Sequence, residues 1–345
     1  MVAYGPSRPD RRNEPPPGAR SASIDPMTES QGDPRAPLIL VNPRASRLVD
    51  PARRGQIVEA VSSAVRRRFG RVPRIEAGTL EATRTALAEA TERPLVVVIG
   101  GDGSVREAAA ALVGQDAPLS IIPGGTGNVL AGALGIRGIG PGIEAIRAGR
   151  PRVLDLGRAR WGSVGEAITD DPSRERIFTV ACGMGLDARI VAGAEHEWKR
   201  RIRFGAYVGA AFRELLRLEA ARFRIVADGE ILEIAGYLAL VANAGELVPG
   251  RIGPRRPIDP EDGRLDLIVL GGTSPLAAVQ GATDLMVRSG DLAGRVIRRS
   301  VEEVLIEAEP AQPIQTDGDP HPAGRLDARV VPAGLTVLAP PGWIR

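Results

Sequence analysis

The sequence predicts an N-terminal α/β domain on a parallel sheet, followed by a second, mainly antiparallel β-sandwich domain. Three observations predict it. Short β-branched runs alternate with helix-length segments from Pro37 to Gly149, the pattern of a parallel sheet with helices on both faces. Beyond Pro151 the texture changes to closely spaced strands with turn residues between them, which indicates antiparallel structure. Two strands of the first half end in glycine-rich turns, "GGDG" at Gly100–Gly103 and "PGGTGN" at Pro123–Asn128. In a parallel sheet such turns lie at the carboxyl edge, where ligands bind.

Each element follows in order. "PLILVNPRAS" (Pro37–Ser46) is an apolar strand running into an Asn-Pro turn. "PARRGQIVEAVSSAVRRRFG" has helical spacing and stops at Gly70. "RVPRIEAG" is a weaker strand, and "TLEATRTALAEATER" is a helix opened by Thr79. "LVVVIG" is a buried strand, and a helix is expected from near Ser104. "APLSIIPGGTGNVLAGALG" repeats strand, glycine turn and helix. The second half reads as "RVLDLGRARW", "RIFTVACGMG", "FRIVADGEILEIAGYLALVANAGE", "GRLDLIVL" and "EEVLIEAE", all strands. Two helical segments interrupt them, "EHEWKRRIRFGAYVGAAFRELLRLE" and "SPLAAVQGATDLMVRSGDL". The expected divisions are a disordered Pro-, Arg- and Ser-rich tail over 1–36, a first domain over 37–150 and a second over 151–327. A C-terminal segment of about 328–345 is expected to return to the first domain.

Composition removes several function classes. Lys and Arg number 45 against 42 Asp and Glu, a net charge of +3, which is no excess of the kind a nucleic-acid partner demands. Cys182 is the one cysteine, so no internal disulfide forms, as suits a reducing compartment. With His196 and His321 far from it in sequence, Cys182 reads as a small core residue. No apolar run approaches the roughly 18–20 residues that span a bilayer, and no secretory h-region is visible. The 2 histidines leave no His-rich metal site, and no Gly-x-Ser-x-Gly elbow occurs.

The glycine turns carry the chemistry. Gly100, Gly101 and Gly103 strip side chains from a strand end just before a helix, where backbone N–H groups and the helix dipole favour an anion. Asp102 has two readings there: a helix cap, or the partner of a divalent cation accompanying a phosphate. The second turn adds Gly124, Gly125, Gly127, the Thr126 hydroxyl and the Asn128 amide. Two such turns on adjacent strands indicate a nucleotide site. No Gly-Lys-Ser/Thr follows the first turn, and Arg106 stands where a dinucleotide fingerprint needs its third glycine.

These residues resemble the diacylglycerol kinase catalytic-domain family, lipid kinases that include sphingosine and ceramide kinases; NAD kinases share the fold. "VNPRAS", "GGDGS" and "PGGTGN" are similar to the family's three nucleotide motifs, in order, and the likeness runs from about Pro37 to the C-terminus. The resemblance implies ATP as co-substrate, held by Asn42, Pro43, Gly100, Gly101, Gly103, Ser104, Gly125, Thr126 and Asn128, with Mg²⁺ near Asp102. "PIDPEDGRLDLIVL" is similar to a segment that in bacterial members holds a structural Mg²⁺, which would place Asp259, Asp262 and the backbone carbonyl of Arg264 on that ion; the plainer reading is a β-turn. "IQTDGDPHPAG" resembles the family's Asp-Gly-Glu motif and implies that Asp319 is the catalytic base. Glu230 in "ADGE" matches better as a string but reads as a hairpin turn between two strands.

The sequence departs from the family at Ala45-Ser46 in place of Ser-Gly, at Ser104 in place of Thr, at Val129 where many members carry Asp, and at Asp319 in place of Glu. The reaction implied is phosphoryl transfer from ATP to a lipid hydroxyl, diacylglycerol to phosphatidic acid first among the options. Other lipid alcohols stay open. A lipid substrate calls for peripheral contact with the inner face of the membrane by a cytoplasmic protein. Lys199, Arg200, Arg201 and Arg203 beside Trp198 and Phe204 suit such contact or form an ordinary surface helix. A homodimer is an open option. The alternatives are an NAD kinase, against which the absent Asn-Glu/Asp pair for the second ribose counts, and a nucleotide- or lipid-binding homologue without catalysis.

Overall fold

The computed structural model describes residues 35–78, 85–87, 93–185, 220–245, 258–274 and 296–343. The expected tail falls outside these except for Arg35 and Ala36. Of the two interrupting segments of the second half, the basic-aromatic one (195–219) lies wholly outside the described residues, and the other (274–292) does so apart from Ser274.

The first half is the expected parallel sheet. Strands β1 (Leu38–Val41), β2 (Arg74–Ala77), β3 (Val96–Gly100) and β4 (Leu119–Pro123) stand in the order β4-β3-β1-β2, all parallel. Alternate residues of a strand point to opposite faces, and each face is covered. Ile39, Val41, Val97 and Ile99 pack on α1 (Pro51–Phe69). Leu38, Leu40, Val96 and Val98 pack on α2 (Asp102–Leu112). Helix α1 begins where its sequence says: Asp50 accepts the Ala52 N–H, Pro51 opens the first turn, and Gly70 closes the last one at φ 66°. Helix α2 starts at Asp102, two residues before the expected Ser104. The helix after the second turn, α3 (Val129–Ala133), is only 5 residues long, and α4 (Ile139–Ala148) follows it.

The second half is antiparallel. Its strands are β5 (Arg150–Gly162), β6 (Glu175–Phe178), β7 (Ala181–Gly185), β8 (Ala221–Ala227), β9 (Glu230–Ala242), β10 (Leu265–Gly271), β11 (Val296–Val301), β12 (Glu303–Glu309), β13 (Ile314–Thr316), β14 (Asp319–His321) and β15 (Arg325–Ala339). Phe178, Phe223, Ile225, Val241, Leu267, Val304 and Ile306 fill its own core. "RIFTVACGMG", read as one strand, is two, β6 and β7, broken at Thr179-Val180. The long pair β5 and β15 runs through both halves: β15 pairs with β12 near its start, and its Val337 pairs with Leu119 of β4. "ADGE" is a hairpin turn, as expected, with Asp228 at φ 48° and Gly229 at φ 83° between β8 and β9.

Candidate active site

The carboxyl ends of β1, β3 and β4 bring the three motifs together. Asn42, at the end of β1, donates its Nδ2–H to Ser104 Oγ at 3.0 Å and accepts the Arg44 N–H at 3.0 Å; Pro43 lies in the turn between them. Arg47 N–H reaches the Gly124 carbonyl at 3.0 Å, and the Ser46 and Thr126 hydroxyls are 3.3 Å apart. The two glycine turns press on each other. A Cβ on Gly125 would stand 2.6 Å from Gly101 Cα, and one on Gly127 would stand 2.6 Å from Asp102 Oδ2. These glycines are thus required by the neighbouring turn. A Cβ on Gly103 would meet nothing within 4 Å beyond its chain neighbours and its own helix backbone. That glycine leaves the outer side of the first turn of α2 bare.

Asp102 caps, but not its own helix. Its Oδ2 accepts the Asn128 N–H at 2.7 Å and its Oδ1 the Val129 N–H at 2.6 Å. These are donors of the first turn of α3, which α3 itself cannot satisfy. Each carboxylate oxygen keeps a second lone pair, so Asp102 still suits a Mg²⁺ that carries phosphate oxygens and water for its other ligands. The Asn128 amide is spent inside its own turn, donating to the Gly125 carbonyl at 2.7 Å and accepting the Gly125 N–H at 2.9 Å, with the residue at φ 52°. Beside this turn lies a cleft of about 230 Å³, bordered by Arg47, Thr126, Gly127, Val129 and Arg137. Sequence reasoning passed over both arginines, because neither sits in a motif.

Asp319, from the other half of the chain, reaches helix α2 one turn beyond Asp102. Asp317 (φ 46°) and Gly318 (φ 84°) make a two-residue turn between β13 and β14, so Thr316 pairs with Asp319. Asp317 fixes this hairpin: its carboxylate accepts the N–H groups of Thr179 (2.7 Å), Val180 (2.9 Å) and Ala181 (3.0 Å) and the Thr179 hydroxyl (3.0 Å). Those donors are the break between β6 and β7. Burial pushes the Asp317 carboxyl up, against the pull of these bonds. Asp319 Oδ2 then accepts from Arg106 Nη1 at 2.5 Å, so β14 is tied to α2.

The acidic loop gathers elsewhere, its bonds running to β5 and β15. Asp155 of β5 accepts the Gly263 N–H (2.7 Å) and the Ala333 N–H (2.8 Å), and its own N–H meets the Pro260 carbonyl at 2.6 Å. Asp259 accepts the Glu261 N–H and Asp262 the Arg264 N–H, two tight turns in sequence. The Arg264 side chain is turned away to Asp228, Ser300 and Glu302, which leaves its backbone as the part that faces the loop's own chemistry. Lost hydration, then the charges of Asp259, Asp266 and Asp155, push the Asp262 carboxyl above its ordinary range. Crowded like charges of this kind fit a divalent cation, although among the described residues no three Asp, Glu, His or Cys side chains converge as a ready-made ligand set. Asp155 was missed because it lies about a hundred residues before the loop that it organises.

Residues 37–159 match the model of the diacylglycerol kinase catalytic domain, and residues 180–339 match that of the YegS C-terminal NAD kinase beta sandwich-like domain. The chain belongs to the diacylglycerol kinase catalytic-domain family. Solved structures agree on the fold. A diacylglycerol kinase from Bacillus anthracis strain Sterne superposes with a TM-score of 0.64 at 20% identity, over 90% of this chain and 98% of that one. A candidate diacylglycerol kinase from the same strain gives 0.69 at 22%, over 90% and 97%. An uncharacterized protein of Synechocystis, sll0036, is 27% identical over 250 residues, covering 71% of this chain and 54% of that protein. The chain thus spans about half the length of this relative.

Proposed function

We propose that the protein is an ATP-dependent lipid kinase that transfers the γ-phosphoryl group to a lipid hydroxyl, with diacylglycerol as the first substrate to test. The observation that carries the reading is the meeting of the three motifs at the carboxyl ends of β1, β3 and β4, with Asp319 bonded to Arg106 of α2, the helix that opens at Asp102. The bare first turn of α2 and the Thr126 hydroxyl receive the phosphates, and Arg47 and Arg137 border the cleft beside them. Catalysis of phosphoryl transfer is mostly positioning and charge stabilisation, and this edge supplies backbone donors for both. Asp319 accepts the proton of the lipid hydroxyl as its oxygen bonds to the γ-phosphorus. The bond from that phosphorus to the β,γ-bridging oxygen breaks, and ADP departs. Bound at Asp102 together with the phosphates, Mg²⁺ would offset the charge on the transferred group. A second Mg²⁺, on Asp259, Asp262 and the Arg264 carbonyl, would be structural. Residues 37–150 with the returning C-terminal segment form the nucleotide half of this scheme and 151–327 the lipid half, at the inner face of the membrane. Among the described residues no helix is long and apolar enough to cross a bilayer.

The test is transfer of label from γ-labelled ATP to lipid alcohols in mixed micelles, with NAD⁺ as a competing acceptor. Labelled lipid, lost in Asp102→Ala and Asp319→Ala, supports the reading. Label on NAD⁺ moves the chain to NAD kinase. ATP bound without turnover makes it a binding protein, with Val129 and Asp319 the first positions to revert.

A further inference from the structure

Arg106 belongs to none of the nucleotide motifs. Its guanidinium is nonetheless 7% exposed and forks between two carboxylates, Asp319 at 2.5 Å and Glu107 at 3.1 Å. Burial alone would favour losing its proton; the charge of Asp319 and the bonds to Asp319 and Glu107 outweigh that and keep the guanidinium charged. Asp319 itself stays 55% exposed. One of its oxygens is held by a buried cation while the rest of the carboxylate stays open to solvent. We propose that Arg106 is a positioning residue for phosphoryl transfer, which sets the place of Asp319 relative to the nucleotide turns.

The geometry of α2 supplies the reason. Asp102 and Arg106 are four residues apart, about 6 Å along the helix axis and on one side of it. The first holds the second glycine turn through Asn128 and Val129; the second holds the acid of β14. One rigid helix therefore spaces the phosphate-binding backbone from the proton acceptor. The two come from halves of the chain 213 residues apart at the Arg106–Asp319 contact. Aspartate is one methylene shorter than the glutamate of the family's motif, so its backbone cannot be left to drift. A shift of about 1 Å in a reacting group can cost about 100-fold in rate. Lysine keeps the charge of Arg106 but not the fork that grips Glu107 and Asp319 together.

This inference rests on the proposed kinase reading, and Arg106→Lys tests it in the full chain, in the lipid kinase assay. The expected result is a kcat lower by about 10- to 100-fold, with KM for ATP within twofold and an unchanged melting temperature. In an Asp319→Asn background the same change should cost nothing more, because Arg106 acts through Asp319. Full kcat in Arg106→Lys overturns the inference and leaves the kinase reading intact. A loss that adds to that of Asp319→Asn, or that follows melting temperature or ATP affinity, assigns Arg106 a structural role and also overturns it. Full activity in Asp319→Asn alone overturns the base assignment and the inference with it, as does absence of turnover in the unmodified chain. Arg106→Gln serves as the check on charge, since it leaves two carboxylates facing each other without a cation and is expected to lose melting temperature as well.

Discussion

Asp102 sits in the first turn of α2, yet both of its carboxylate oxygens are bonded to the start of the next helix, at Asn128 N–H and Val129 N–H. The first glycine motif thereby builds the second. Removing the carboxylate strands two donors that α3 cannot satisfy, at a cost of about 2 kcal/mol. Asparagine is a poor replacement, because its NH₂ would face one of those N–H groups. Asp102→Asn and Asp102→Ala are both expected to lower stability in urea titrations and to weaken ATP binding at least tenfold. Wild-type stability in Asp102→Asn would show that the bonds contribute little.

Two glycines of the same site should separate packing from ligand access. An alanine at Gly125 needs its Cβ 2.6 Å from Gly101 Cα, backbone against backbone, so one turn must move. Gly125→Ala is expected to lower the melting temperature and to lose nucleotide binding together. An alanine at Gly103 meets nothing within 4 Å and sits in a helix, where it costs no stability. Gly103→Ala should keep the melting temperature while weakening ATP affinity, measured by titration calorimetry. Unchanged affinity there would place the phosphates elsewhere.

This contrast also shows how far the sequence could be read. Strand, turn and helix order in the first half was legible, because β-branched runs, Asp50-Pro51 and Gly70 are local signals. The reason for Gly125 was not: the pattern suggests room for a phosphate, and the structure adds that Gly101 lies against it. The role of Asp102 was half legible, as a cap, but the helix it caps is 26 residues away. Arg106, Asp155 and Asp317 were invisible for the same reason. Each acts on a partner at least 100 residues distant, and no local spacing encodes such a pairing. β6 and β7 read as one strand because the break at Thr179 is stabilised by Asp317, far along the chain.

The acidic loop makes a prediction about metal. The Asp262 carboxyl stands above its ordinary value of 3.8, so the folded chain holds that proton more tightly than the unfolded one. Stability therefore falls as pH rises from the unfolded value through the folded one, and at pH 7 the ionised group is a burden that a cation relieves. Millimolar Mg²⁺ should raise the melting temperature at pH 7, and the gain should shrink as pH falls towards 4. Asp262→Asn should raise the metal-free melting temperature and abolish the gain. A full Mg²⁺ response in that variant would remove the loop as the binding site.

His321 gives the opposite dependence on pH. Its ring stacks on Trp161 with centroids 3.8 Å apart, and its Nε2 lies 2.8 Å from Thr316 Oγ1. Burial first, then the charges of Arg176 and Arg106, lower its pKa from 6.5 to about 4, against the pull of Asp319. The unfolded chain takes up this proton near pH 6.5, while the folded chain resists it down to about 4, so stability is lost as pH falls through that window. A full shift of that size would be worth roughly 3 kcal/mol; partial exposure of the ring reduces it to about 1–2 kcal/mol. Urea denaturation at pH 7 and pH 5 should show this loss in the unmodified chain and a smaller one in His321→Gln. His321 is two residues from Asp319 on the same face of β14, so protonation also places a second cation beside the Arg106–Asp319 pair. The acid limb of the kinase pH profile should accordingly steepen below pH 5 in the unmodified chain and flatten in His321→Gln. An identical limb in both proteins would separate His321 from the site and leave it a stability group alone.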